Sequence, residues 1–100
     1  MDSFNDIIQS EKPVLVDFYA TWCGPCKMME PILKELSGMV GESARILKID
    51  VDRNPAAASA FNVMGVPTLI IFKKGKVVWR ESGIVDATTL KRHLETAGHS

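Results

Sequence analysis

Along this chain the spacing of apolar residues switches repeatedly between a helical and a strand period. Phe4, Ile7 and Ile8 fall on one side of a short first helix that Asp2 or Ser3 can cap. Pro13 then leads into Val14–Ala20, VLVDFYA, a β-rich run broken only by Asp17, as expected of a strand buried on both faces. Between Pro25 and Val40, residues Met28, Met29, Ile32, Leu33, Leu36 and Val40 recur at steps of three and four, which predicts an amphipathic helix. Ala44–Val51 reads as a second strand. Asn54 and Pro55 supply a favoured cap and first position for a short helix to Phe61. TLIIFK and KVVWRE flank Lys74-Gly75, a two-residue turn signal, and predict an antiparallel hairpin. Asp86 caps a last helix with Leu90 and Leu94 inward and Gly98 beyond its end.

The predicted order is α-β-α-β-α-β-β-α over one domain, residues 1–100, without repeats or linkers. Strands separated by helices imply parallel pairing and right-handed crossovers, with the hairpin adding an antiparallel edge strand. The fold class is therefore α/β: a mixed sheet with helices on both faces. In such sheets sites lie beyond the carboxyl ends of the strands, and Cys23 lies just past VLVDFYA, where the next helix begins.

Composition narrows the function. Lysine plus arginine balance aspartate plus glutamate at 12 each, which removes the broad electrostatic reason to expect nucleic acid or an anionic membrane surface as partner. No apolar run approaches the length of a bilayer span. The N-terminal residues lack the basic and apolar regions of a secretory signal, so a cytoplasmic location is expected. A 46% apolar chain of 100 residues can bury one core without staples.

The only two cysteines, Cys23 and Cys26, stand in the run TWCGPCK. Three readings are open: a redox pair, part of a metal site, or two ordinary thiols. A structural zinc site needs four ligands, and the only histidines, His93 and His99, lie far along the chain, so no metal is expected. The start of a helix carries partial positive charge and unpaired N–H donors, which lower the cost of a thiolate. Cys23 falls there and is expected to be exposed. Cys26, a turn further in, should be more buried yet close enough to bond. That asymmetry makes Cys23 the attacking thiol and Cys26 the one that resolves a mixed disulfide. Pro25 fixes φ at the helix start. A carboxylate at Asp17 would be desolvated and its pKa raised, unless the strand register turns it to solvent.

WCGPCK, Trp22–Lys27, resembles the active-site signature of the thioredoxin family. The similarity extends through VLVDFYA, KIDVDRNP and VMGVPTLIIFKKGK, four segments in order from Phe4 to Leu94. The resemblance implies a thioredoxin-like three-layer α/β/α fold and a protein dithiol–disulfide oxidoreductase acting through Cys23 and Cys26. It implies no bound cofactor, with electrons passing from NADPH through a thioredoxin reductase to client disulfides. Asp17 would be the buried proton acceptor for Cys26, and Lys48 the neighbouring cation that moderates it. Val66–Pro67 would be cis, against a base rate of about one X–Pro bond in twenty, and the turn Gly65, Val66, Pro67 would present backbone to an extended substrate. Trp22 would be a lid beside Cys23, the alternative being core packing. Gly24 and Pro25 join the substrate surface, and Gly83 keeps the docking groove shallow. Trp79 reads as half-buried packing, and Met28, Met29, Met39 and Met64 as core or groove filler, with Met64 bordering the groove.

The sequence starts almost at the first helix, where most of the family carry a further strand. Four strands are expected, with the 44–51 strand left as an unprotected edge, and hence a monomer or a weak edge-to-edge dimer. Gly24-Pro25 resembles the reducing members, where oxidising members usually carry a histidine; an oxidant or isomerase is the alternative in the same class. A docking module with incidental cysteines is the alternative in another class.

Overall fold

A computed structural model describes residues 3–99 of the chain. Its helices are α1 (Phe4–Ile8), α2 (Gly24–Val40), α3 (Pro55–Ala60) and α4 (Ala87–Gly98); its strands are β1 (Val14–Tyr19), β2 (Arg45–Asp50), β3 (Thr68–Lys73) and β4 (Lys76–Ser82). The four strands form one mixed sheet in the order β2-β1-β3-β4. Helices pack on both faces of this sheet, giving the three-layer α/β/α arrangement expected from the resemblance.

Side-chain parity along the strands explains the layers. Leu15, Leu69 and Ile71 point to one face and pack with Met29, Leu33 and Leu36 of α2 and Leu90 and Leu94 of α4. Val14, Val16, Phe18, Ile70 and Phe72 point to the other, against Ile8 of α1, with Ala57 of α3 and Phe61 just after it packed alongside. Phe4 anchors α1 there, its ring edge-on to Phe18, Phe61 and Phe72 at 5.8–6.1 Å. Parity assigns Asp17 to the face of Leu15, beneath α2, and Lys48 to the same face as Ile46.

Helix boundaries follow local chemistry. Ser3 caps α1, accepting the Asp6 N–H while the Asp6 carboxylate accepts the Ser3 N–H; Asp2 lies outside the described residues. Asp86 caps α4 by accepting the Thr89 N–H and hydroxyl. Asn54 precedes α3 but makes no side-chain cap bond there, because its amide donates to the Asp50 carbonyl instead. Gly98 is the last residue of α4 and not the one beyond it. At the hairpin, Lys74 and Gly75 both take positive φ, +53° and +81°, as a two-residue turn of this twist requires.

The predicted parallel pairing holds only for β1 and β2; β3 runs antiparallel to β1. Length gives the reason. The 17 residues of α2 span about 25 Å and carry the chain back along the sheet, whereas the 6 residues of α3 span about 9 Å. The chain therefore enters β3 from the end where β1 and β2 finish. This corrected direction matters for the site, because it brings Pro67 to the end that holds Cys23.

β2 is the outer strand on one side, half-exposed where β1 is almost wholly buried. Among the described residues, no helix is long and apolar enough to cross a membrane.

Candidate active site

β1 runs into α2 through a tight turn in which the Cys23 N–H donates to the Ala20 carbonyl at 3.2 Å. Cys23 is the N-cap of α2: its backbone is extended (φ −91°, ψ 115°) and its Sγ accepts the Cys26 N–H at 3.1 Å. Gly24 and Pro25 are the first two helical residues and lie exposed at the surface. Pro25 fits because the first turn of a helix has no intrahelical use for its missing N–H. Cys26 follows as the third, and the two cysteines are joined by a disulfide with Cα atoms 5.3 Å apart. A sulfur at the N-cap of a 17-residue helix faces the positive end of the helix dipole, which favours negative charge on it.

Cys26 is buried, with 3% of its surface exposed, but Cys23 is buried too, at 4%. The expected exposure of Cys23 is thus corrected for the disulfide form. Ala20, Val66, Tyr19 and Val51 pack around the pair and cover it.

The opposite wall is the turn before β3. Val66–Pro67 is cis. The Gly65 carbonyl accepts the Thr68 hydroxyl at 2.6 Å, and the Pro67 carbonyl accepts the Gly83 N–H at 2.9 Å. Gly83 meets that bond with φ +97°, a conformation that side-chain-bearing residues rarely adopt. With its neighbours so engaged, the Val66 carbonyl faces the disulfide, its oxygen 3.7 Å from Cys23 Sγ.

Trp22 is 70% exposed, so core packing is excluded. Its indole N–H donates to Asp52 Oδ2 at 2.9 Å, and the Asp52 N–H in turn donates to Asp50 Oδ1. Trp22, Val51, Val63, Met64, Gly65 and Val66 line a shallow, mostly apolar depression of about 140 Å³ beside the cysteines. Met64, at 93% exposure, stands at its rim. Met28 and Met39 are exposed at 60% and 42%, so of the four methionines read as filler only Met29 belongs to the core. Met28 fails because the buried stripe of α2 runs through Cys26, Met29, Leu33 and Leu36, and Met28 lies off that stripe. Trp79 is half-buried and stacks on His93 with ring centroids 4.6 Å apart, away from the cysteines.

On the sheet face beneath α2, Asp17 is fully buried and neither carboxyl oxygen has a hydrogen-bond partner among the described residues. Burial raises its pKa from the ordinary 3.8 to about 6; Lys48 pulls it down and Glu30 pushes it up by lesser amounts. Lys48 pairs with Asp17 in the β1·β2 register, but its ammonium bonds to Glu30 Oε1 at 3.3 Å and lies 4.5 Å from the centroid of the Tyr19 ring. A second cavity, about 270 Å³, opens between Tyr19, Cys26, Lys27, Glu30 and Lys48.

The fold thus brings the Val66 carbonyl to Cys23, with Trp22, Gly24, Pro25 and Cys26 at the start of α2, Gly65 and Pro67 on either side of Val66 and Gly83 bonded to Pro67; Asp17 and Lys48 lie on the sheet face beneath α2. Glu30 and Asp52 were missed from sequence. Asp52 had a usable signal, its place just past the carboxyl end of a strand; Glu30 had none beyond its helix. Among the described residues, no group of three or more His, Cys, Asp and Glu side chains could hold a metal ion.

The thioredoxin family model matches residues 1–96. A thioredoxin of Mycolicibacterium smegmatis is 50% identical over 99 residues, covering 96% of this chain and 88% of that protein. The chloroplastic thioredoxin Y of Oryza sativa subsp. japonica is 46% identical over 96 residues, covering 95% of this chain and 57% of its own. Among solved structures, a mutant thioredoxin from Halobacterium salinarum NRC-1 superposes with a TM-score of 0.83 at 40% identity, covering 98% of this chain and 88% of that one.

Proposed function

The chain belongs to the thioredoxin family and is a thiol–disulfide oxidoreductase with Cys23 and Cys26 as its redox pair; from there we propose that it reduces disulfides in client proteins and is re-reduced by a thioredoxin reductase drawing on NADPH. The observation that carries this reading is the placing of Cys23 Sγ at the N-cap of α2, facing the Val66 carbonyl.

The steps balance as a two-electron exchange. The reduced Cys23, as a thiolate held by the Cys26 N–H and the helix dipole, attacks one sulfur of a client disulfide. The client S–S bond breaks, a Cys23–client bond forms, and the departing client sulfur takes a proton from solvent. The Cys26 thiol then gives its proton to Asp17 and attacks Cys23 Sγ. The second client sulfur leaves as a thiol once protonated, and the Cys23–Cys26 disulfide remains. A carboxylate with a pKa near 6 is matched to that transfer, since it is ionised at neutral pH yet basic enough to accept. Lys48 moderates Asp17 through its charge.

Docking on this reading is by extended main chain along the Gly65–Pro67 turn, with Trp22, Gly24, Pro25 and Gly83 forming the rest of the surface. Backbone recognition tolerates varied client side chains. Gly24-Pro25 between the cysteines favours the reducing direction over an oxidant. A reducing, cytoplasmic setting is part of the same proposal; fractionation of cells checks it, and localisation to an oxidising compartment would overturn it. With β2 at the edge of the sheet among the described residues, a monomer or a weak edge-to-edge dimer belongs to the same proposal, and sedimentation reads it directly.

The decisive assay is reduction of insulin disulfides with NADPH and a thioredoxin reductase. The wild type turns over, and Cys23→Ser does not. Equal activity of the two would overturn the dithiol mechanism.

A further inference from the structure

One charged group beside the cysteine pair has no role in the steps above. Glu30 stands on α2 one turn beyond Cys26, at the rim of the cavity that Cys26, Tyr19, Lys27 and Lys48 also line. Its Oε1 lies 3.3 Å from Lys48 Nζ, with the two side chains 61% and 37% exposed. Lys48 has two carboxylates to choose between. One is Asp17, its register partner on β1, on the same face of the sheet. The other is Glu30, nearer solvent. It bonds Glu30 and rests over Tyr19, while both Asp17 oxygens stay without a hydrogen bond among the described residues.

Desolvation explains the choice. Drawing an ammonium down to a fully buried carboxylate strips its water, and that desolvation opposes the contact. At the rim, Glu30 and the Tyr19 face hold the ammonium while it stays partly hydrated. Without Glu30, the rim contact loses one of its two partners, and the balance tips toward Asp17.

We propose that Glu30 is a positioning residue for the resolving step: by holding Lys48 at the cavity rim it leaves the Asp17 carboxylate unpaired and able to take the Cys26 proton. This rests on the reading of Asp17 as proton acceptor. The titratable and charged groups on the side of Asp17 are Lys48 and Asp50 from β2, Glu30, Lys27 and Cys26 from α2, Tyr19 from β1, Glu81 from β4, and His93 of α4, which stacks on Trp79. On the same face β3 contributes Leu69 and Ile71, and α4 contributes Leu90 and Leu94. The raising effect of Glu30 on Asp17 and the lowering effect of Lys48 agree in sign with this geometry.

The test is the titration of the Asp17 carboxyl, followed by carbon NMR in the disulfide form of wild type, Glu30→Gln, Lys48→Met and the double variant. Glu30→Gln should lower the Asp17 midpoint by about one pH unit, through loss of a nearby negative charge and approach of Lys48. The rising limb of the pH–rate profile for mixed-disulfide resolution should move down with it, and Glu30→Asp should restore both. Lys48→Met should raise the midpoint. In the Lys48→Met background, Glu30→Gln should move it less than half as far, because the effect runs through Lys48. A midpoint unmoved by Glu30→Gln, or moved as far without Lys48 as with it, overturns the proposal. The acceptor role is read separately: Asp17→Asn resolving mixed disulfides at the wild-type rate would refute that reading, whatever the titrations show.

Discussion

Two helices of this protein begin with the same hydrogen bond made by different atoms. At α4, Asp86 Oδ2 accepts the Thr89 N–H at 3.1 Å; at α2, Cys23 Sγ accepts the Cys26 N–H, also at 3.1 Å. Asp86 is solvent-exposed, and the Thr89 hydroxyl and N–H hold its carboxyl below the usual carboxylate range. Its charge is permanent at neutral pH and serves only to close a helix end. Cys23 is buried at 4% exposure and carries charge only when reduced and ionised. The geometry that stabilises a helix at one terminus becomes, with sulfur in place of oxygen, a means of stabilising a nucleophile at the other. What separates them is the surroundings: a cis-proline turn and the Val66 carbonyl face Cys23, and a buried carboxylate lies on the sheet face beneath α2.

The largest effect that breaks this comparison is Cys23→Ser. A hydroxyl keeps the cap bond, so the fold should hold with a similar Tm, while turnover in the insulin assay falls to the uncatalysed background. If activity fell only because the helix frayed, circular dichroism would show the loss.

Asp17→Asn comes next and should act in two directions. Resolution of the mixed disulfide should slow by about 10²-fold, the usual worth of a placed general base. Stability should rise. A carboxyl whose pKa goes from 3.8 in the unfolded chain to about 6 in the fold opposes folding by roughly 3 kcal/mol once the pH is above both values. Below pH 3.8 the group is protonated in both states and costs nothing; between 3.8 and about 6 the folded state binds the extra proton, so stability declines as pH rises. Denaturation in urea should show wild type and variant alike near pH 3 and furthest apart above pH 6, with the variant the more stable. Equal stability at neutral pH would mean that Asp17 is hydrated in solution.

Asp52→Ala should have a smaller effect. Losing the acceptor of the Trp22 indole N–H frees an exposed ring, so KM for a protein disulfide should rise several-fold while small disulfides are reduced as before. A matching rise for both substrates would place Asp52 in the chemistry and not in docking.

The smallest effect on activity belongs to Asp86→Ala. Loss of the ordinary cap should lower Tm by a few degrees and leave insulin reduction unchanged. The wild-type contribution from this charge is lost as pH falls, so the two proteins should converge in acid. A change in turnover would show that the helix termini are coupled.

Much of this was legible in the residues because the signals are local. The alternation of periods gave the element order, Asp86 announced its helix, and WCGPCK placed a cysteine at a strand-to-helix junction. What was not legible depends on length or on distance in three dimensions. The direction of β3 follows from how far α3 can carry the chain, which hydrophobic periodicity does not encode. Met28 satisfied a helical spacing yet fell outside the buried stripe of α2. Cys23 looked exposed because a helix start usually is, whereas Val66, 43 residues on, closes over it. Glu30 and Lys48 lie 18 residues apart, and Trp22 and Asp52 30 apart, on elements that only the sheet brings together.

The measurement closest to the central claim is a trapping experiment. Cys26→Ser, reduced and mixed with a peptide disulfide, should accumulate a stable covalent adduct that mass spectrometry maps to Cys23, and Cys23→Ser should accumulate none. An adduct on Cys26 in the Cys23→Ser protein, with none on Cys23 in the Cys26→Ser protein, would reverse the assigned roles and contradict the account.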